Sequence, residues 1–63
     1  GAIMARLIYA TPGFERSASV FYDFDDEEFV VRLYVEGVYS PEADYFTEDR
    51  VDACNTADSM ATA

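Results

Sequence analysis

The sequence predicts an α+β fold in which a three-stranded antiparallel β-sheet (a meander) precedes one C-terminal α-helix that packs on one face, in the order β-β-β-α. Three segments alternate apolar and polar side chains with the two-residue period of strands. Short turn-like connections separate these segments, as hairpins require. The last segment repeats apolar residues at helical spacing instead. With 63 residues, the chain has the length of a single domain covering residues 1–63.

The three strands are predicted over Met4 to Ala10, Ala18 to Phe24 and Glu28 to Glu36. Thr11-Pro12-Gly13 and Asp25-Asp26-Glu27 provide the turns between them. The alternation assigns to the helix-facing side Leu7, Tyr9, Val20, Tyr22, Phe24, Phe29, Val31, Leu33 and Val35. It assigns to the opposite, uncovered side Arg6, Ile8, Phe21, Asp23, Val30, Arg32, Tyr34 and Glu36.

The segment from Val38 to Phe46 is predicted to be a loop or a short irregular strand around Ser40-Pro41. Thr47 is a good helix N-cap, and the acids that follow it suit the positive end of a helix dipole. The helix is therefore predicted from about Glu48 to Ala61. Its apolar stripe consists of Ala53, Cys54, Ala57, Met60 and Ala61.

The charge of the chain limits its partners. The formal net charge is −9, with 13 acidic residues, four arginines and no lysine. Direct binding to nucleic acid or to an anionic membrane is not expected, because both are recognised through Lys and Arg. A basic protein surface would be attracted instead. The alternative is that the charge serves only solubility.

Catalysis is not expected, because the chain has no histidine to act as a general base and its one thiol, Cys54, lies on the predicted apolar stripe. No cofactor or metal site is predicted either. Asp23, Asp25 and Glu27 match the first ligand positions of a calcium loop, but the glycine that such a loop needs is replaced by Glu28. We therefore interpret this segment as an acidic turn, and the chain as a binding protein.

The single thiol and the lack of a recognisable export signal favour a cytoplasmic setting. Gly1, Ala2 and Ile3 precede Met4, so the native chain is expected to begin at that methionine. No membrane span is expected, because no apolar run approaches the roughly 18 residues that one needs.

Two surfaces are candidate interaction sites. The uncovered sheet side would present an apolar patch of Ile8, Phe21, Val30 and Tyr34, which suits an interface, including one between two copies of the chain. The acidic surface is the other candidate, and its predicted partner-binding residues are Asp25, Asp26, Glu27, Glu48, Asp49 and Asp52. Carboxylates spread over a small rigid surface can imitate the phosphates of a DNA duplex.

The segment from Ala43 to Ala53, with Thr56, Ala57 and Met60, is similar to the strand-to-helix segment of small acidic proteins encoded by bacteriophages and prophages. The resemblance implies an anti-defence inhibitor, such as an anti-CRISPR protein or DNA mimic. Such an inhibitor would act in the cytoplasm of a bacterial host, by blocking a basic nucleic-acid-binding surface of a host protein. The alternative function is a small structural or regulatory module that forms a homodimer through its uncovered sheet side.

Overall fold

The computed structural model describes residues 4–63, so the three residues expected to precede the native start lie outside the described residues. The elements in chain order are β1 (Ala5–Ala10), β2 (Arg16–Asp23), β3 (Glu28–Val35), β4 (Val38–Thr47) and α1 (Arg50–Thr62). The strands form one antiparallel sheet in the order β1-β2-β3-β4, and α1 packs mainly over β2 and β3. The predicted α+β class, antiparallel sheet and C-terminal helix are confirmed.

The sheet has four strands, so the prediction of three is wrong. The segment predicted to be a loop or short irregular strand forms β4, which pairs with β3 at both of its ends. Between the pairs Val31–Tyr45 and Leu33–Ser40, only Arg32 on β3 stands opposite the residues from Pro41 to Asp44. Pro41 therefore lies in a wide bulge on an edge strand, where its missing N–H leaves no ladder hydrogen bond unmade.

The turn from β3 to β4 is a two-residue hairpin connection. Glu36 and Gly37 at its centre have φ angles of 51° and 81°. Two consecutive positive φ values characterise the type I′ turn, whose twist matches that of the flanking strands. This tight turn directs the chain back along β3 and makes a fourth strand possible.

A bulge in β1 corrects the predicted faces of that strand. Leu7 pairs with Phe21 and Tyr9 pairs with Val20, so Ile8 is an extra residue with no partner on β2. Strict alternation would place Leu7 and Tyr9 on the same face, but the bulge places them on opposite faces. Ile8 packs against the buried core, and its predicted place on the uncovered side is wrong.

The core lies between the sheet and the helix. It consists of five fully buried residues, Ala18, Val20, Val31, Ala53 and Ala57. Two of them are alanines of α1, which allow the helix to approach the sheet closely. Ile8, Phe29 and Met60 pack around this cluster and are partly buried.

Both ends of α1 are held by polar contacts. Asp49 is the N-cap, and its Oδ1 accepts hydrogen bonds from the backbone N–H groups of Val51 (2.8 Å) and Asp52 (3.3 Å). At the other end, Arg16 Nε donates to the carbonyl of Met60 at 2.8 Å, where a cation also suits the helix dipole. The prediction of Thr47 as N-cap is wrong by two residues, because Asp49 presents a carboxylate to the free N–H groups.

Candidate interaction surfaces

One cross-strand row determines how the helix sits on the sheet. Tyr9, Val20, Val31 and Tyr45 are in register across the four strands. The two valines are fully buried beneath α1, and the tyrosines lie at the two ends of the row. Their hydroxyl groups therefore reach the helix from both of its sides.

Each of these tyrosines fixes an aspartate of α1. The Tyr9 hydroxyl donates to Asp58 Oδ1 at 2.6 Å, and the Tyr45 hydroxyl donates to Asp52 Oδ2 at 2.7 Å. Hydrogen bonds of this length to an ionised carboxylate are among the stronger ones in proteins. Asp52 and Asp58 are consequently held in place while each keeps free acceptor capacity.

A third pair of this kind lies on β4. The Tyr39 hydroxyl donates to Asp44 Oδ2 at 2.6 Å, while the other carboxylate oxygen, Oδ1, is buried without a partner in residues 4–63. The guanidinium of Arg32 stacks on the rings of Phe21 and Tyr39, at 5.0 and 5.4 Å from their centroids. The bulge in β4 thus combines a fixed carboxylate with a cation–π cluster.

The carboxylates raise the pKa of all three tyrosines. In Tyr9, Tyr39 and Tyr45 the pKa lies above the ordinary value of 10.0, chiefly because each hydroxyl donates a hydrogen bond to an aspartate. Ionising the phenol would remove that bond and place two negative charges side by side. In Tyr39, the nearby charge of Arg32 opposes part of this rise. The three hydroxyls stay protonated, and remain donors, at neutral pH.

The strand pairing collects acidic residues at one end of the sheet. Asp23 pairs with Glu28, and Phe29 pairs with Thr47, so the turn between β2 and β3 lies at the same end as the start of α1. We call this region the acidic end; its members are Asp23, Asp25, Asp26, Glu27, Glu28, Glu48 and Asp49. The two groups predicted from sequence as partner-binding acids therefore begin at the same end of the fold.

The acids of this end do not all have the same role. Asp23 Oδ1 accepts hydrogen bonds from the backbone N–H groups of Asp25 and Asp26, so Asp23 shapes the turn. Asp25, Asp26 and Glu27 are exposed on the turn.

The predicted acids near the helix start also divide by role. Asp49 caps the helix and Asp52 is bound by Tyr45, whereas Glu48 is exposed. The sequence predicted these acids as partner-binding residues, but it did not predict that Asp49 caps the helix or that Asp52 accepts a hydrogen bond from Tyr45. It also missed the tyrosine donors, because Tyr9 and Asp58 are 49 residues apart in the chain.

The uncovered face of the sheet carries an apolar row that differs from the predicted patch. Leu7, Phe21, Val30 and Phe46 are in register across all four strands. Leu7 and Phe46, at the ends of the row, are 53% and 58% exposed, whereas Val30 is only 7% exposed. Leu7 replaces the predicted Ile8, and Phe46 was not anticipated because its segment was not assigned to the sheet.

The remaining member of the predicted patch, Tyr34, lies on the same face but outside this row, and the Ser19–Arg32 pair separates them. Tyr34 pairs with Tyr39 and their ring centroids are 5.6 Å apart. Cys54, predicted on the apolar stripe of the helix, is a partly buried free thiol.

Within residues 4–63, no three His, Cys, Asp or Glu side chains are grouped as a metal ion would require. In the same part of the chain, no helix has the length and apolar character needed to cross a bilayer. A comparison with protein-family models, curated proteins and solved structures finds no match to this chain.

Proposed function

We propose that this protein is a non-catalytic inhibitor that docks its acidic end on a basic, nucleic-acid-binding surface of another protein. The observation that carries the proposal is the collection of the β2–β3 turn and the start of α1 at one end of the sheet. Clustered like charges on a small domain create a strong local potential, which attracts basic surfaces and speeds association with them. The net charge of −9 extends that attraction to the whole molecule.

The fixed aspartates support the same proposal. Asp52 and Asp58 on α1 each accept a hydrogen bond from a tyrosine hydroxyl, and Asp52 lies in the first turn of the helix, next to the acidic end. Side chains already held in place lose less conformational entropy when a partner binds. Fixed carboxylates on the helix can therefore meet Lys and Arg side chains as the phosphates of a duplex do. This is the basis for proposing a DNA mimic.

The bacteriophage-type sequence resemblance suggests where such an inhibitor would act. We place its proposed target among host defence or nucleic-acid-processing proteins, as for an anti-CRISPR protein, in the bacterial cytoplasm. The proposal involves no cofactor and no direct contact with nucleic acid.

The test compares two variants that lose the same charge at different places. The first carries Asp25→Asn, Asp26→Asn and Glu48→Gln at the acidic end. The control carries Glu15→Gln, Glu36→Gln and Glu42→Gln, which lie in the β1–β2 connection, in the β3–β4 turn and in the β4 bulge. Each variant removes three negative charges, and none of the six side chains makes a hydrogen bond within residues 4–63.

The immobilised wild type and control should capture the same basic, nucleic-acid-binding protein from a bacterial lysate, and added salt should release it. The acidic-end variant should capture much less, because losses of up to about 1 kcal/mol from each exposed ion pair accumulate. Equal capture by both triple variants would contradict the proposal.

The apolar row favours a second candidate function, self-association into a homodimer. Leu7 and Phe46 expose apolar surface at both ends of a row that faces away from α1. Sedimentation should then show a dimer that Phe46→Asp dissociates. A monomer at high micromolar concentration would rule this function out.

A further inference from the structure

We infer that a cleft between the first strand and the start of the helix binds a small organic anion that carries an aromatic ring. The cleft has a volume of about 530 Å³, within the range of about 300 to 1,000 Å³ typical of small-molecule sites. Its lining combines two arginines, Arg6 and Arg50, with the rings of Tyr22, Phe24 and Phe29. Ile8 and Leu7 complete the lining, and Leu7 also belongs to the apolar row of the uncovered face; the other five residues belong neither to that row nor to the acidic end.

The rings form a continuous aromatic wall. Tyr22 contacts Phe24 edge-on, with centroids 5.0 Å apart and planes at 86°, and its ring lies 4.9 Å from that of Phe29. Phe24 is nonetheless 51% exposed, on the helix-facing side where sequence predicted it to be covered. A planar apolar group in the cleft would contact these rings and remove the exposed face of Phe24 from water.

The two guanidinium groups come from different elements. Arg6 is in register with Tyr22 and Phe29 on the sheet, in the row next to the one beneath α1, and Arg50 is the first residue of α1. The bulge at Ile8 brings Arg6 to this side; strict alternation would place it on the opposite one. Two of the four arginines of the chain therefore line one cleft.

The chemistry of this lining selects the ligand. A guanidinium donates paired hydrogen bonds that fit a carboxylate or a phosphate, so the two arginines favour a ligand with an anionic group. Asp23, Glu28 and Asp49 are each next in the chain to a lining residue and repel an anion at short range, so the two arginines must offset this repulsion. An aryl carboxylate or aryl phosphate matches both the charge and the rings.

The test uses nuclear magnetic resonance titration of the full chain with phenyl phosphate, benzoate, inorganic phosphate and benzyl alcohol. Phenyl phosphate and benzoate should shift the amide signals around the cleft with a Kd of about millimolar, as expected for ligands of this size. Inorganic phosphate and benzyl alcohol should bind more weakly, because the first lacks a ring to contact the aromatic side chains and the second lacks a charge to pair with the arginines. Benzyl alcohol binding as tightly as benzoate would overturn the proposal.

Variants provide the second arm. Arg6→Gln and Arg50→Gln should each weaken binding of the aryl anions by up to about fivefold, the effect of one exposed ion pair. Arg32→Gln, which removes the same charge on the other face of the sheet, should leave the Kd unchanged. Equal weakening by all three variants would show that binding depends only on the net charge of the protein, and it would contradict a specific site in the cleft.

The same variants test for a different occupant of the cleft, the acidic turn of a second copy of the chain. If Arg6→Gln or Arg50→Gln lowers the sedimentation coefficient of the free protein, the cleft takes the acidic turn of a second copy, and the small-molecule proposal is wrong.

Discussion

Shortening Val31 to alanine tests the packing that holds the helix on the sheet. Val31 is fully buried between Val20 and the two alanines of α1, and it belongs to the row bounded by Tyr9 and Tyr45. The change deletes two methyl groups, each worth about 0.8 kcal/mol in transfer from water. The cavity left behind adds to this, so Val31→Ala should lower the free energy of unfolding by about 2 to 3 kcal/mol.

This loss is large for so small a protein. At about 0.05 to 0.15 kcal/mol per residue, a chain of this length has a total stability of about 3 to 9 kcal/mol. Urea unfolding followed by circular dichroism measures the change. Val38→Ala is the matched control, because it deletes the same groups from a valine that is 67% exposed on β4. It should change stability by less than about 0.5 kcal/mol. Equal effects of the two substitutions would refute a core centred on Val31.

Three further predictions concern the helix and its polar contacts. Asp49→Ala should lower the free energy of unfolding by about 1 kcal/mol through loss of the N-cap, whereas Asp49→Asn and Glu48→Ala should have little effect; thermal unfolding of the three variants decides this. Because the pKa of Tyr9 and of Tyr45 is raised in the folded protein, their contribution to stability is complete below pH 10 and is lost as the pH rises through the folded values. Tyr9→Phe and Tyr45→Phe should each flatten the fall in stability above pH 10, and a fall as steep as that of the wild type would contradict the hydrogen bonds. Cys54→Ala should cost at most about 1 kcal/mol, since the thiol is only partly buried, and loss of partner binding in the folded variant would show a functional thiol instead.

Alternation in β2 and β3 predicted the structure well because these two strands pair without interruption from Arg16–Val35 to Asp23–Glu28. Val20, Val31 and Leu33 are all buried on the predicted face. When one face of a strand is covered and the other is not, apolar and polar residues alternate along it, and this alternation shows which face points to the core.

The errors lie in the two outer strands. A single extra residue at Ile8 reverses the face of β1 before it, and an added residue leaves no mark in a pattern of alternating side chains. In β4, Pro41 favours a loop, yet an edge strand with a bulge accommodates it. Both irregularities depend on how the strand pairs with the adjacent strand, and the local sequence pattern does not show that pairing.

The candidate sites, like the fold, could be predicted from the sequence only in part. The acidic residues were recognisable from composition alone, but which of them are free depends on tertiary partners. The hydroxyl of Tyr45 binds Asp52 and the carboxylate of Asp49 caps α1, whereas Glu48, which precedes both in the chain, is exposed. The aromatic cleft could not be predicted, because the bulge in β1 determines the side on which Arg6 lies.

Competition with DNA tests the proposed function most directly. A labelled duplex bound to the captured partner is titrated with the wild type, the acidic-end variant and the control at two salt concentrations. If the acidic end imitates phosphates, the wild type and the control displace the duplex, the variant does not, and added salt weakens the displacement sharply. The protein itself should leave free duplex unbound. Displacement that is insensitive to salt and equally strong with the acidic-end variant would contradict the proposal.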